Sequence, residues 1–269
     1  MAMIEAGMKN SEIAEEMRKR YLVSPEKTAL AITIANRERE ILKDIDYENG
    51  YSLYVGIPFC PSICLYCSFS SYPLKQWKDR VELYLDALCK EIREVSSIMK
   101  KKGRKLDTVH IGGGTPTTLE PDQLQRLLDT LTEHFDCRNL AEFTIEAGRP
   151  DSITREKLQV IREAGATRIS INPQTFEDAV LEAIGRKHTG QQGVDCYELA
   201  RQMGFSSINM DLIAGLPSDS YEGFCRSVDK AVSLDPENVT VHTLSLKRSS
   251  ALFQEMSGDE DYSAVQKMV

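Results

Sequence analysis

The sequence predicts an α/β fold, a partial (β/α)6 barrel behind an N-terminal helical appendage, and three observations predict it. From Tyr51 onward, short β-branched runs alternate with amphipathic helical stretches. Several of those stretches close on glycine, and polar or glycine-rich residues fall just past strand after strand. Strands and helices joined by right-handed crossovers give a parallel sheet covered by helices, closed or partly closed as a barrel. Six units where a full barrel has eight leave it incomplete.

Each element is signalled in turn. Residues 10 to 42 carry Ile13, Met17, Leu22, Ala29, Ile32 and Ile34 among charges, with Ser24-Pro25 punctuating the middle, so residues 1–50 are expected to form the appendage. The strand candidates are Tyr51 to Ile57, Asp107 to Ile111, Glu142 to Glu146, Arg168 to Asn172, Ser207 to Ile213 and Asn238 to Leu244. From Trp77 to Lys101, Val81, Leu85, Leu88, Ile92, Val95 and Met99 recur at helical spacing. Lys100 to Lys102 and Gly103 supply a cationic end and a C-cap. Pro121 opens a second helix, with Leu124, Leu127, Leu128, Leu131 and Phe135 as its inner face. Two more finish at Gly165 and Gly204, and another follows Ser218 with Phe224, Val228 and Val232 inside. The barrel is thus expected over residues 51–248. A last helical pattern runs from near Asp259 to Val269 with no Gly or Pro stop, so residues 249–269 are expected to start a C-terminal region of a longer protein.

At 269 residues, 41% hydrophobic and 28% charged, the chain suits one large soluble domain with short appendages. No apolar stretch approaches the roughly 20 residues of a membrane helix, so a cytoplasmic protein without a membrane partner is expected. A formal net charge of −8 argues against nucleic-acid binding by broad phosphate neutralisation.

Three of the seven cysteines dominate the chemistry. Cys60, Cys64 and Cys67 lie in the run Tyr-Val-Gly-Ile-Pro-Phe-Cys-Pro-Ser-Ile-Cys-Leu-Tyr-Cys. A four-iron cubane usually takes four thiolates, so three on one loop leave an iron open to chelate a small molecule. Structural zinc usually takes four ligands as two separated pairs, and no second pair occurs. A disulfide framework fits poorly with an odd cysteine total and no signal-peptide pattern. Cys89, Cys137, Cys196 and Cys225 are scattered singly and read as structural.

In such a barrel, chemistry belongs at the C-terminal ends of the strands. The cysteine loop follows the first strand, Gly112-Gly113-Gly114-Thr115-Pro116 the second, and Glu146 closes the third. Asn172 and Gln174 follow the fourth, Asp211 lies near the end of the fifth, and Thr243 to Ser245 end the sixth. Packing alone would put Val and Ile there. Read singly, each has a plain alternative: a tight turn for the glycines, a surface carboxylate for Glu146, a turn for Gln174, a solvated charge for Arg186, a cap partner for Asp211. The glycines lack the Lys-Ser/Thr ending of a phosphate loop and the spacing of a dinucleotide fingerprint. Among the histidines, His134 reads as surface and His110 as a satisfied core residue, while His188 and His242 are better placed to face the cavity.

The cysteine triplet followed by Gly-Gly-Gly-Thr-Pro, Arg-Ile-Ser-Ile-Asn-Pro-Gln and Asn-Met-Asp-Leu-Ile-Ala-Gly-Leu-Pro resembles the radical S-adenosylmethionine (SAM) family of oxygen-independent coproporphyrinogen III oxidases. The resemblance covers roughly residues 51 to 248, and is strongest to the coproporphyrinogen dehydrogenase branch called HemZ. It implies a TIM-like barrel of the radical SAM type, a [4Fe-4S] cluster on Cys60, Cys64 and Cys67, and S-adenosylmethionine on the open iron as source of a 5′-deoxyadenosyl radical. It sets Tyr66 near the adenine, Gly113, Gly114 and Thr115 against the methionine moiety, and Glu146 on the bound cofactor. Gln174, Arg186 and Asp211 would line the nucleoside and substrate region, with Tyr54 and Ser245 as further matches.

The implied reaction converts two propionates of coproporphyrinogen III to the vinyl groups of protoporphyrinogen IX, with a reducing donor such as a flavodoxin or ferredoxin. Four substrate carboxylates call for cations, and Arg149, Arg186, Lys247 and Arg248 are candidates by position. The same family includes a branch thought to carry haem, and related radical enzymes act on other substrates. Those are the alternatives. Two departures bear on them: the oxidase branch has a histidine where this chain has Gly56, and a fourth cysteine where it has Phe69.

Overall fold

The computed structural model describes residues 1–43, 45, 46 and 49–255, so the helix expected from Asp259 lies outside the described residues. The chain divides into two compact units, Met1–Gly50 and Tyr51–Val269. Within the first, α1 (Ala2–Glu5), α2 (Asn10–Tyr21) and α3 (Pro25–Ile41) bury Ile4 and Ile13. Leu22 in the left-handed conformation ends α2. Ser24 then caps α3, its Oγ accepting from the Lys27 amide at 3.4 Å, and Pro25 takes the first turn.

The second unit is built on one six-stranded sheet: β1 (Gly50–Ile57), β2 (Lys105–Gly113), β3 (Glu142–Gly148), β4 (Arg168–Gln174), β5 (Ile208–Ala214) and β6 (Asn238–Thr243). The strands lie in sequence order, the pairings from β2 through β6 are parallel, and β1 and β6 end the sheet. Between them run α4 (Val81–Lys101), α5 (Pro121–His134), α6 (Arg155–Glu163), α7 (Asp178–Ala183), α8 (Gly190–Gln202) and α9 (Tyr221–Ser233), with α10 (Ala251–Glu255) last. Leu85, Leu88 and Ile92 of α4 and the four leucines expected on α5 pack into one core with Ile57, Val109, Ile111, Phe143, Ile145, Ile169 and Ile171. A strand buried on both faces reads as such an apolar run. Among the described residues no helix is long and apolar enough to cross a membrane.

Several boundaries differ from the sequence reading. α4 starts at Val81, because Lys78–Arg80 form a separate 3-10 turn. Val232 of α9 is 62% exposed, and Ala231 is buried instead, since residues 224, 227, 228 and 231 share one helical face. β2 runs on through Gly112 and Gly113, which are therefore strand residues. Register shifts between Glu146 and Gly148 and between Ile171 and Gln174 mark the ends of β3 and β4. Such irregularities re-aim side chains at a sheet's rim.

Candidate active site

One cavity of about 440 Å³ opens at the C-terminal ends of the strands. Cys60, Cys64, Tyr66 and Cys67 reach it from the loop after β1, Gly113, Gly114 and Thr115 from the end of β2, and Glu146 and Arg149 from β3 and just beyond. Asn172 and Gln174 of β4, Arg186 after α7, Asp211 of β5, and Ser245 and Lys247 after β6 complete the wall. The three cysteines and all the expected cofactor-binding residues except Tyr54 line it. Tyr54 stands 61% exposed, its ring stacked on His110 with centroids 5.6 Å apart.

The cysteine loop is closed at its base by a short parallel bridge, Phe59–Cys60 against Tyr72–Pro73. Inside it the Cys67 amide donates to the Cys64 carbonyl at 3.0 Å and the Leu65 amide to the Ile184 carbonyl at 3.1 Å. Burial pushes the Cys60 and Cys67 thiols up, so as free groups both keep their protons, which a metal would displace on binding. Among the described residues no three His, Cys, Asp or Glu side chains gather as the ligands of one ion. The three thiols instead share the wall of one cavity, an arrangement suited to a cluster that presents separate irons. Around them Ser71 Oγ, Asn172 Oδ1, Gln174 Oε1 and Arg186 Nε are buried without hydrogen-bond partners. Buried polar atoms left unpaired in a cavity wall fit a polar ligand such as the amino, carboxylate and ribose groups of S-adenosylmethionine.

The glycine run has a packing cause independent of any ligand. Gly113 has φ +110°, and a Cβ there would stand 3.0 Å from the Ile57 carbonyl oxygen. At Gly114 a Cβ would meet the Phe59 oxygen at 2.6 Å and Cys60 Sγ at 3.0 Å. The end of β1 and the cysteine loop therefore press directly on these residues, in addition to the cofactor approach that the resemblance implies. Thr115, fully buried beside them, sets its Oγ1 3.5 Å from Cys60 Sγ. Gln174, with φ +70°, holds a conformation that is sparse for a non-glycine residue and that concentrates at functional sites.

Arg186 is no solvated charge: it is buried, donating to the Asn172 carbonyl at 2.6 Å and the Tyr66 hydroxyl at 3.1 Å. Burial pushes the Tyr66 phenol well up, so it stays neutral. Arg149 corrects its reading as a free carboxylate receptor. It is 3% exposed, and its donors are engaged with both Asp151 oxygens, Ser62 and Cys64. Lys247 lines the cavity and is exposed, whereas Arg248 is absent from the lining. His242 lines it too, 4.0 Å from Asp211. His188 does not: it is buried, with its pKa pushed down to about 4 by burial and by Arg186. Ser62, Ser71 and Asp151 are contributors that sequence reasoning missed; for Asp151 the Arg-x-Asp spacing at 149–151 was the available signal.

His110 is not a core residue. Its side chain is 40% exposed and its Nε2 lies 2.8 Å from Glu146 Oε1, a bond that raises its pKa above 6.5. A histidine pKa raised by folding contributes stability fully below the unfolded value, and that contribution is lost as pH rises through the folded value. His110→Gln is therefore expected to lose stability relative to the parent at pH 5.5 and to differ less at pH 8.5. Urea melts at the two pH values check this, and a difference independent of pH would contradict it.

The family model described as the Radical SAM superfamily matches residues 54–231. The chain belongs to the Radical SAM superfamily. Members of the superfamily use a [4Fe-4S] cluster and S-adenosylmethionine, so the expected fold and cofactor pair hold at that level. The chain is 40% identical over 251 residues to the oxygen-independent coproporphyrinogen-III oxidase-like protein HemZ of Bacillus subtilis, covering 93% of this chain and 50% of that protein. It is 39% identical over 206 residues to the heme chaperone HemW of the same organism, covering 76% and 53%. The solved structure of coproporphyrinogen III oxidase (HemN) from Escherichia coli, a Radical SAM enzyme, matches with a TM-score of 0.70 and 31% identity over 81% of this chain and 50% of that one. The chain thus spans about half the length of the relatives it matches.

Proposed function

We propose that this chain carries the cofactor-binding barrel, residues 51–248, of a radical SAM oxidoreductase acting on coproporphyrinogen III, with residues 1–50 as a helical appendage and residues 249–269 as the start of a further region. One observation supports this above all: three thiols of one loop share a cavity with the unpaired polar atoms of Asn172, Gln174 and Arg186. Cys60, Cys64 and Cys67 would hold the cluster. Gly113, Gly114 and Thr115 offer backbone and hydroxyl groups beside it, and Glu146, Gln174, Arg186, Asp211 and Ser245 would hold the nucleotide, with Tyr66 against its base and Tyr54 at the margin. When bound, the cluster and S-adenosylmethionine supply one-electron chemistry that yields an adenosyl radical.

The protein's own part is to bind and orient. Tyr66, fixed by Arg186 and kept protonated by burial, offers an uncharged ring face. Exposed Lys247 is left to receive a substrate carboxylate. Decarboxylation at each propionate removes a hydrogen atom from the β-carbon, then CO2 and one electron, so a reducing donor such as a flavodoxin or ferredoxin and an electron acceptor are both required partners.

A haem carrier is the second reading. The 39% identity to a heme chaperone favours it, as does Phe69, 78% exposed on the cavity lining where the oxidase branch has a fourth cysteine. The test is anaerobic reconstitution with iron and sulfide, then reductant, S-adenosylmethionine and coproporphyrinogen III, measuring 5′-deoxyadenosine and CO2 together. Both products are expected. Nucleoside without CO2 would keep the radical chemistry and remove this substrate; retained haem without nucleoside would favour the carrier; bound zinc with no cluster absorbance would end both.

A further inference from the structure

β3 ends in a turn that is fixed from several sides. Gly148 takes φ +29°, the Arg149 amide donates to the Ala147 carbonyl at 2.6 Å, and the Arg149 carbonyl accepts from the Ser152 amide and hydroxyl at 2.9 and 2.8 Å. The turn drives the Arg149 side chain into the protein, where Nε and Nη2 form a two-pronged pair with Asp151 at 2.9 and 2.8 Å. The remaining nitrogen, Nη1, points at the cysteine loop. It donates to the Ser62 carbonyl at 3.0 Å, lies 3.1 Å from Ser62 Oγ, and reaches Cys64 Sγ at 3.6 Å.

A paired guanidinium cannot recognise a substrate carboxylate, because its fork is already filled. Its third nitrogen can still act on sulfur. Hydrogen bonds to the sulfurs of an iron–sulfur centre set its potential, because they stabilise the more negative, reduced state. Burial keeps water from replacing that interaction.

We propose that Arg149 is a positioning residue for the Cys64 corner of the cluster: it fixes the loop through Ser62 and, by its N–H···S bond, raises the potential of the bound centre. Asp151 holds the guanidinium plane so that one nitrogen faces the sulfur. The inference rests on the cluster reading above and adds a role that reading does not contain.

The test uses the full 269-residue chain and three variants: Arg149→Lys, which keeps a charge without the fork, Asp151→Asn, and the neutral pair Arg149→Gln/Asp151→Asn. Two readouts are taken. The first is hydrogen exchange of the apo-protein at residues 62–67, with core amides of β2 to β4 as the internal control. The second is a redox titration of the reconstituted cluster followed by electron paramagnetic resonance. In the neutral pair, loop exchange is expected to rise about tenfold while core amides hold, and at the parent's midpoint the reduced-to-oxidised ratio should fall about tenfold, or ~59 mV negative for one electron. The lysine variant should lie between. Should the neutral pair not fold, Arg149→Lys carries both readouts with the same sign, and Asp151→Asn, which removes a negative charge together with the clamp, carries the loop-exchange readout. A parent midpoint and parent loop exchange in all variants would overturn the proposal. A parent chain that takes up no cluster would instead sink the functional reading, and loop exchange would then still decide whether Arg149 fixes the loop.

Discussion

Cys64→Ala is expected to abolish both iron–sulfur absorbance and 5′-deoxyadenosine formation, with little effect on the fold. A corner iron held by no thiolate loses more than a disturbed outer partner costs, so cluster affinity should fall by more than about 100-fold. The backbone around Cys64 has its own supports, through the Cys67 amide below and the Leu65 amide bound to Ile184. Arg149 keeps its bonds to Asp151 and Ser62 when the sulfur is gone, so no buried charge is orphaned. The matched control is Cys89→Ala. Cys89 is also buried, but it sits on α4 against Thr130, away from the cavity, and its replacement should leave absorbance and nucleoside at parent levels. Absorbance and thermal melting on both variants separate loss of the site from loss of the fold. Nucleoside formation surviving in Cys64→Ala would remove the three-thiolate reading.

Much of this arrangement was legible in the residues themselves, for identifiable reasons. The helix stripes of α4 and α5 repeat at 3.6 residues whatever the tertiary context, and the strand-end polar residues had no packing purpose to explain them. That rule brought Glu146, Gln174, Asp211 and Ser245 to one rim, where all four line the same cavity. Pairwise geometry was not legible. Whether Arg149 faces solvent, substrate or Asp151 depends on a turn at Gly148 that composition does not specify. A histidine in a strand just before the glycine run reads as a satisfied core residue, yet the side chain of His110 is 40% exposed and Glu146 is its partner. Tyr54 is stacked on His110 and stands outside the cavity lining.

Gly114→Ala is expected to damage fold and site together, lowering stability by about 1–3 kcal/mol and reducing cluster uptake. The new methyl would meet three atoms that cannot easily move: the Phe59 and Ile57 carbonyl oxygens at 2.6 and 3.0 Å, and Cys60 Sγ at 3.0 Å. The Phe59 oxygen already accepts from the Thr115 amide at 2.8 Å and the Thr118 hydroxyl at 3.2 Å, and the Ile57 oxygen from the Gly114 amide at 2.7 Å. Displacing either carbonyl weakens bonds worth about 0.5–1.5 kcal/mol each. The same displacement pushes Cys60 out of line with Cys64 and Cys67, which couples packing to chemistry at one backbone position. Gly56→Ala is the contrasting case, because its Cβ would meet only Tyr54 Cε1, at an ordinary 3.5 Å, so melting and iron content should stay near the parent's. Urea melts and iron content of the reconstituted proteins measure both effects. If Gly114→Ala matched the parent in both, the cysteine loop would have to yield by several tenths of an ångström at no cost, and the glycine run would then owe its presence to a bound ligand rather than to the loop that presses on it.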